Sequence, residues 1–395
     1  MASPLQRVAM GRHLPPLGMP PPGARASRKK HGDMHPIHWK SYFESSEMIE
    51  TKSGNFRVYF GGSSGPWVVT LHGGGFSALS WACFSKSVRD MVECRVMSMD
   101  LRGHGETTVT NEEDMSMDFL AGDVGEVVNN FLAKHGDPSD PIILMGHSMG
   151  GAIAVHVAHE KLIPSLAGLA LIDIVEGSAL EALSSMHSVL QSRPKTFSSI
   201  EHAIKWCITT GQVRNWESAC VSMPGQIINL ETGKLCAAEI TGSEVLASPD
   251  SNETMEHFNL ASSVEAIAED EELSPSADGS VQDKIEKSPA GHCFKWRIDL
   301  STTEKYWHGW FENLSDIFLD CPIPKLLILA GIDRLDKKMT VGQMQGKFQM
   351  QVLPHVGHVV HEDKPENVAE IIATFLTRFR MAEALAKFNK PFPSC

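Results

Sequence analysis

Short apolar runs punctuate the chain from residue 67 onward. They are Trp67-Val68-Val69-Thr70-Leu71, Arg95-Val96-Met97-Ser98-Met99, Pro141-Ile142-Ile143-Leu144-Met145, the stretch from Leu166 to Ile174, and Leu326-Leu327-Ile328-Leu329. Near-continuous apolar runs of this length suit parallel strands covered on both faces. Between them, Leu120, Val124, Val127, Val128, Phe131 and Leu132 keep helical spacing, as do Val368, Ile371, Ile372, Phe375, Leu376 and Phe379 near the end. Upstream, Met48-Ile49-Glu50-Thr51 and Phe56-Arg57-Val58-Tyr59-Phe60 flank Lys52-Ser53-Gly54-Asn55, which reads as a hairpin with a Gly-containing turn. Strands alternating with amphipathic helices predict an α/β fold: a mostly parallel central sheet, right-handed crossovers and helices on both faces.

The alternation stops after Ile174 and resumes near Cys321. An insertion over about residues 178–320 is expected there. Its first part, 178–226, looks helical, with Leu180, Leu183, Met186 and Leu190 at helix spacing, and would lie over the strand ends as a lid. Residues 244–289 differ. Glu265, Glu269, Asp270, Glu271, Glu272, Asp278 and Asp283 sit among Ser, Pro and Gly, the composition of a disordered acidic loop. The first forty residues, rich in Pro, Gly, Arg and Lys, read as a disordered arm. Residues 41–395 then form one domain.

Composition narrows the function. With 35 basic against 48 acidic residues the net charge is -13, which disfavours a general nucleic-acid binder. No run of eighteen apolar residues exists, and the N-terminus lacks the apolar core of a secretory signal. The eight cysteines form no CxxC pair, so free thiols in an intracellular chain are expected and a structural zinc site has no support. The run Arg25-Ala26-Ser27-Arg28-Lys29-Lys30 is compatible with a nuclear address, and more readily a solvated basic tail.

The strongest chemical signal is Gly146-His147-Ser148-Met149-Gly150-Gly151. It fits G-x-S-x-G, a nucleophile elbow, and its context is right: a strand runs into it and the helix-forming Ala152-Ile153-Ala154-Val155-His156-Val157-Ala158 runs out. Ser148 is the candidate nucleophile. His72-Gly73-Gly74-Gly75 follows the strand ending at Leu71, where a Gly-rich turn can aim backbone N–H groups at the elbow. Gly74 and Gly75, with Met149, are the candidate oxyanion donors. The base should follow the last strand, Phe348 to Val352, where His355, His358 and His361 compete. His358 is favoured because Gly357 lets the loop turn back toward the sheet. His104, in Arg102-Gly103-His104-Gly105-Glu106, reads as a turn residue or a substrate contact. For the acid that orients the imidazole, Asp173 and Asp333 each follow a strand ending at the same sheet edge, and placement after the seventh strand favours Asp333.

Around these residues the chain resembles the protein phosphatase methylesterases, serine esterases of the α/β-hydrolase fold. The resemblance rests on Asp100-Leu101-Arg102, His104-Gly105-Glu106-Thr107, the elbow through His156, Ile172-Asp173-Ile174-Val175-Glu176-Gly177, Arg193-Pro194-Lys195-Thr196-Phe197, Glu304-Lys305-Tyr306-Trp307 and the block from Asp333 to Pro354. It covers the chain from about Trp39 onward, apart from the acidic stretch. It implies demethylation of the C-terminal leucine carboxylate of the type 2A protein phosphatase catalytic subunit, and a capacity to hold inactive phosphatase. It also moves the triad acid to Asp173. No cofactor, metal, nucleic acid or membrane is called for.

Competing readings are weaker. A lipase would want an apolar lid, and residues 178–226 mix charges freely. A binding protein on a hydrolase scaffold would be signalled by loss of Ser148 or His358. Epoxide and haloalkane hydrolases place Asp where Ser148 stands. The aromatic group Trp296, Tyr306, Trp307, Trp310 and Phe311 reads as a core helix packed on the lid ahead of a protein-binding hot spot. Selectivity for one protein should draw on contacts remote from the ester: the lid, the loop 102–107 and the stretch near Trp307. Such contacts are also expected to bring His358 and Asp173 into register.

Overall fold

The structure is a computed structural model and describes residues 34–240, 293–386 and 388. Its main sheet contains the hairpin β1 (Ser45–Glu50) and β2 (Gly54–Gly61), then β3 (Trp67–Leu71), β4 (Arg95–Met99), β5 (Ile142–His147), β6 (Leu166–Ile172), β7 (Lys325–Leu329) and β8 (Gln349–Val352). They lie in the order 1-2-4-3-5-6-7-8, with the two-residue strand Thr108–Val109 added beside β2. β2 runs antiparallel to β1 and β4, and every other pair on this path is parallel. The expected runs thus become strands within a residue or two of their sequence limits.

Helices cover both faces: α1 (Ala82–Arg89), α2 (Met117–His135), α3 (Met149–His159), and, closing the fold, α10 (Pro365–Arg378). Alternate strand residues divide between two cores. Trp67, Val69 and Leu71 join the cluster under α2 and α3, whereas Val68 faces the cluster under α1 and α10. The β5 run has the same division, with Ile142 and Leu144 on one side and Ile143 and Met145 on the other. This two-sided burial is why the strands read as continuous apolar runs.

Winding starts outward from β3 to β4, returns to β5 and proceeds the other way through β6 to β8. Between β3 and β5 the crossover direction reverses, and at such a switch point the strand ends leave a crevice.

The insertion between β6 and β7 carries α4 (Glu176–Gln191), α5 (Ile200–Thr209), α6 (Trp216–Ser222), α7 (Glu304–Phe311) and α8 (Leu314–Asp320); α9 (Lys337–Met344) lies between β7 and β8. Leu180, Leu183, Met186 and Leu190 of α4 do pack against the main core. The sequence patterns missed a three-stranded antiparallel sheet in which Phe294–Trp296 lies between Thr196–Phe197 and Ile227–Asn229. Its strands are two or three residues long, too short to show a period. The arm ends earlier than expected: Met34 and Ile37 pack on the insertion's apolar cluster, and the Ile37 N–H donates to the Cys220 carbonyl. The basic run 25–30 and the acidic segment 244–289 lie outside the described residues.

Candidate active site

The last residue of β5 pairs with the last of β6, so the two strands deliver Ser148 and Asp173 side by side. The Ser148 N–H donates to the Ile172 carbonyl at 3.1 Å, and the Asp173 N–H to the Ile328 carbonyl at 2.8 Å. Both residues have left-handed φ, 51° in each case. Ser148, at ψ -120°, is strained, a conformation that costs about 1–3 kcal/mol and persists only where the surroundings enforce it. Here the enforcement is close packing. A Cβ on Gly150 would stand 2.4 Å from the His72 carbonyl oxygen, and one on Gly146 would stand 2.2 Å from that of Gly150. The glycines let α3 start directly against the ends of β3 and β5.

His358 completes the group. Its Nδ1–H donates to Asp173 Oδ2 at 2.8 Å, while Oδ1 accepts the Ala330 N–H at 3.0 Å. The carboxylate is fully buried; the imidazole is 46% exposed and open to the cleft. The His358–Asp173 pair is therefore in register already, without the remote contacts expected to align it. Ser148 Oγ has no hydrogen-bond partner among the described residues, and in unliganded sites such bonds often form only around substrate. The other two histidines are elsewhere. His355 is exposed, and His361 is buried, stacked on Trp81 at 3.9 Å. Burial pushes the His361 pKa down to about 3, so it stays neutral. Asp333, favoured by its place in the chain, is exposed; its neighbour Arg334 instead reaches Asp173 Oδ2 at 2.8 Å.

The glycine turn separates the two candidate glycines. The Gly75 N–H donates to His104 Nε2 at 2.9 Å, and His104 Nδ1–H donates to the Arg102 carbonyl. Gly75 is thereby removed from the candidate donors. Gly74 and Met149 keep N–H groups without partners among the described residues, and a Cβ on Gly74 would lie 3.7 Å from the Met149 sulfur. His147, the variable residue of the elbow, has a role the motif does not reveal. Its Nε2–H donates to the His358 carbonyl at 2.9 Å, fixing the backbone of the candidate base. Complete burial, with three neighbouring histidines, holds the His147 pKa well below the ordinary value.

Residues 68–371 match the alpha/beta hydrolase family. Human protein phosphatase methylesterase 1 is 50% identical over 372 residues, covering 92% of this chain and 90% of its own. The chain belongs to the protein phosphatase methylesterase family. A probable protein phosphatase methylesterase 1 of Caenorhabditis elegans is 41% identical, with 96% of this chain and 86% of that one covered. The Schizosaccharomyces pombe protein phosphatase methylesterase 1 is 35% identical over 86% of this chain and 84% of its own. Among solved structures, E-2-(acetamidomethylene)succinate hydrolase superposes with a TM-score of 0.57 at 16% identity, covering 84% of this chain and 99% of that one. A Mycobacterium tuberculosis esterase gives 0.55 at 17%, covering 84% and 92%. At those identities the likeness concerns the fold.

In this methylesterase-family chain the cleft above Ser148 has a volume of about 660 Å³. Ala182, Met186 and Val189 of α4 form one wall, and Leu300, Trp307 and Phe311 another. The aromatic stretch is core as well as wall: Trp307, Trp310 and Phe311 are buried, and the Trp310 indole N–H donates to the Met115 carbonyl. The loop 102–107, expected among the remote contacts, is instead an internal brace. Arg102 is 1% exposed and paired through two N–H groups with Asp123, and His104 is spent on Gly75. Of the two readings of His104, the turn residue fits these bonds; the pairing of Arg102 with Asp123 is not visible in the sequence. No helix among the described residues is long and apolar enough to cross a membrane.

Proposed function

We propose that this protein is a serine carboxylesterase that removes the methyl ester from the C-terminal leucine of the type 2A protein phosphatase catalytic subunit. Ser148 Oγ attacks the ester carbonyl carbon as His358 Nε2 takes the hydroxyl proton. Asp173 holds the Nδ1–H tautomer and stabilises the imidazolium. The developing oxyanion meets the N–H groups of Met149 and Gly74, each a donor of the kind worth about 3 kcal/mol in a hydrolase oxyanion hole. Collapse breaks the C–OCH3 bond, and His358 protonates the departing methoxide to methanol. Water then attacks the acyl-enzyme, His358 takes its proton and returns one to Ser148, and the tail leaves as a carboxylate.

The observation that carries this reading is the 2.8 Å His358–Asp173 pair set beside a serine in a strained elbow. The apolar cleft walls suit a leucine side chain. The substrate itself is argued from the names of the relatives, which act on protein phosphatases. The test is methanol release from methylated phosphatase, with Ser148→Ala as control. A protein that hydrolyses small activated esters yet leaves the methylated phosphatase untouched would sink the substrate assignment. A methylated tail peptide should be a much poorer substrate than the whole phosphatase, because a methyl ester offers few atoms to bind. Equal kcat/KM within a few-fold would mean that the cleft alone sets specificity.

A further inference from the structure

The esterase mechanism leaves one half-buried charge in the cleft unused. Arg193 follows α4 and lines the same cavity as Ser148 and Gly74. Its guanidinium carbon lies 3.8 Å from the Trp296 ring centroid and 6.0 Å from that of Trp206. Trp296 is itself locked, since its indole N–H donates to the Pro194 carbonyl at 2.7 Å. Arg193 Nε is buried with no hydrogen-bond partner, and among the described residues no carboxylate pairs with the group. Burial draws its pKa down only to about 10, so it remains a cation at neutral pH.

The contrast with Arg102 is direct. Arg102 is fully buried, and it has both oxygens of Asp123 and the carbonyls of Thr110 and Asn111; Arg193, half-buried, has no such acceptors among the described residues. A desolvated charge without such partners is costly, and aromatic stacking recovers only part of that cost. A buried Nε–H without a partner, on a guanidinium that lines a cleft, is accounted for when a ligand supplies the acceptors. One terminal nitrogen of Arg193 lies 3.5 Å from where a Cβ on Gly75 would stand, so the fork sits beside the glycine turn.

We propose that Arg193 is a carboxylate-binding site next to the oxyanion turn, and that it recognises the acidic product tail in preference to the neutral ester. The inference rests on the esterase reading for the origin of its ligand. Before the reaction the terminal group is an uncharged ester; after it, the C–OCH3 bond has been replaced by C–O⁻, which a planar guanidinium can take through two N–H groups. The product is therefore held more tightly than the substrate. An acidic side chain further along the tail offers the same chemistry, and the probes separate the two sources.

The test is equilibrium binding to the full chain carrying Ser148→Ala, which cannot turn over. N-acetyl-leucine and N-acetyl-leucinamide are compared first, since they differ only at the terminal group, an anionic carboxylate in one and an uncharged amide in the other. The acid should bind at least tenfold more tightly, Arg193→Met should abolish the difference, and Arg193→Lys should keep part of it. Met retains the aliphatic packing on Trp296, and melting temperatures check that each variant folds; if Met fails, Arg193→Lys alone decides. If the leucine pair shows no difference but a phosphatase tail peptide with a carboxamide end loses affinity on Arg193→Met, the carboxylate is that of a side chain, and the site stands. The proposal falls if acid and amide bind alike to the Arg193 protein and the peptide is unaffected, or if Arg193→Met weakens acid and amide equally. Methanol release, measured separately with Ser148 intact, reports on the esterase reading.

Discussion

Asp173→Asn separates the role of the acid from its charge. The Asp173 carboxylate has one oxygen on the Ala330 N–H and the other shared by His358 and Arg334. An asparagine can keep its carbonyl on Ala330, and its NH2 then faces His358 and Arg334. The imidazole must then present a lone pair at Nδ1 and carry its proton on Nε2, where it points at Ser148 and cannot accept. The equivalent substitution in a chymotrypsin-type protease costs about 10⁴-fold, or about 5.5 kcal/mol at 1.36 per tenfold. The same geometry here predicts a loss of that order in kcat, read as methanol release, with KM little changed. Because the Asp173 carboxylate is fully buried while Arg334 is 37% exposed and can turn to water, the melting temperature is measured beside kcat to show that the variant folds. Asp333→Asn, on an exposed residue, should be within about twofold of the parent. A loss below tenfold at Asp173, or an equal loss at Asp333, would refute the assignment of the acid.

Ser148→Ala should abolish turnover and labelling by a fluorophosphonate probe while leaving phosphatase binding intact; persistent labelling would reveal another nucleophile. Arg334→Met should cost no more than about tenfold in kcat, since Asp173 keeps His358 and Ala330; a loss as large as that of Asp173→Asn would make Arg334 part of the catalytic group. Gly150→Ala should destabilise by about 3 kcal/mol or more, because the clashing atoms at 2.4 and 2.5 Å are backbone carbonyl oxygens of His72 and Leu71 that cannot swing away; an unchanged melting temperature would contradict the close packing of the elbow. Glu362 is buried on Ser222 Oγ at 2.6 Å, and burial raises its pKa well above 4.5. Its folded form keeps the proton that the unfolded chain loses, so its contribution is present below pH 4.5 and fades as pH rises toward the folded pKa. Glu362→Gln should therefore gain melting temperature relative to the parent from pH 5 to pH 8; a constant difference would show that Glu362 does not titrate this way.

The sequence alone determined what depends on local pattern. Apolar runs covered on both faces specify parallel strands, and the glycines at 146, 150 and 151 make sense only where backbone meets backbone, so Ser148 and the elbow were legible. His358 was legible too, because it follows the last strand and a glycine. The choice between Asp173 and Asp333 was not contained in local pattern. Both close a strand at one sheet edge, and only the packed sheet shows Asp173 buried under His358 while Asp333 faces solvent. Gly74 and Gly75 are alike as letters; a histidine 29 positions from Gly75 decides which N–H is free. The brace made by Arg102 and the isolation of Arg193 follow the same rule. A charged side chain declares itself structural or available by whether a carboxylate lies against it, and that is fixed by contacts between segments far apart in the chain, which tertiary packing alone creates.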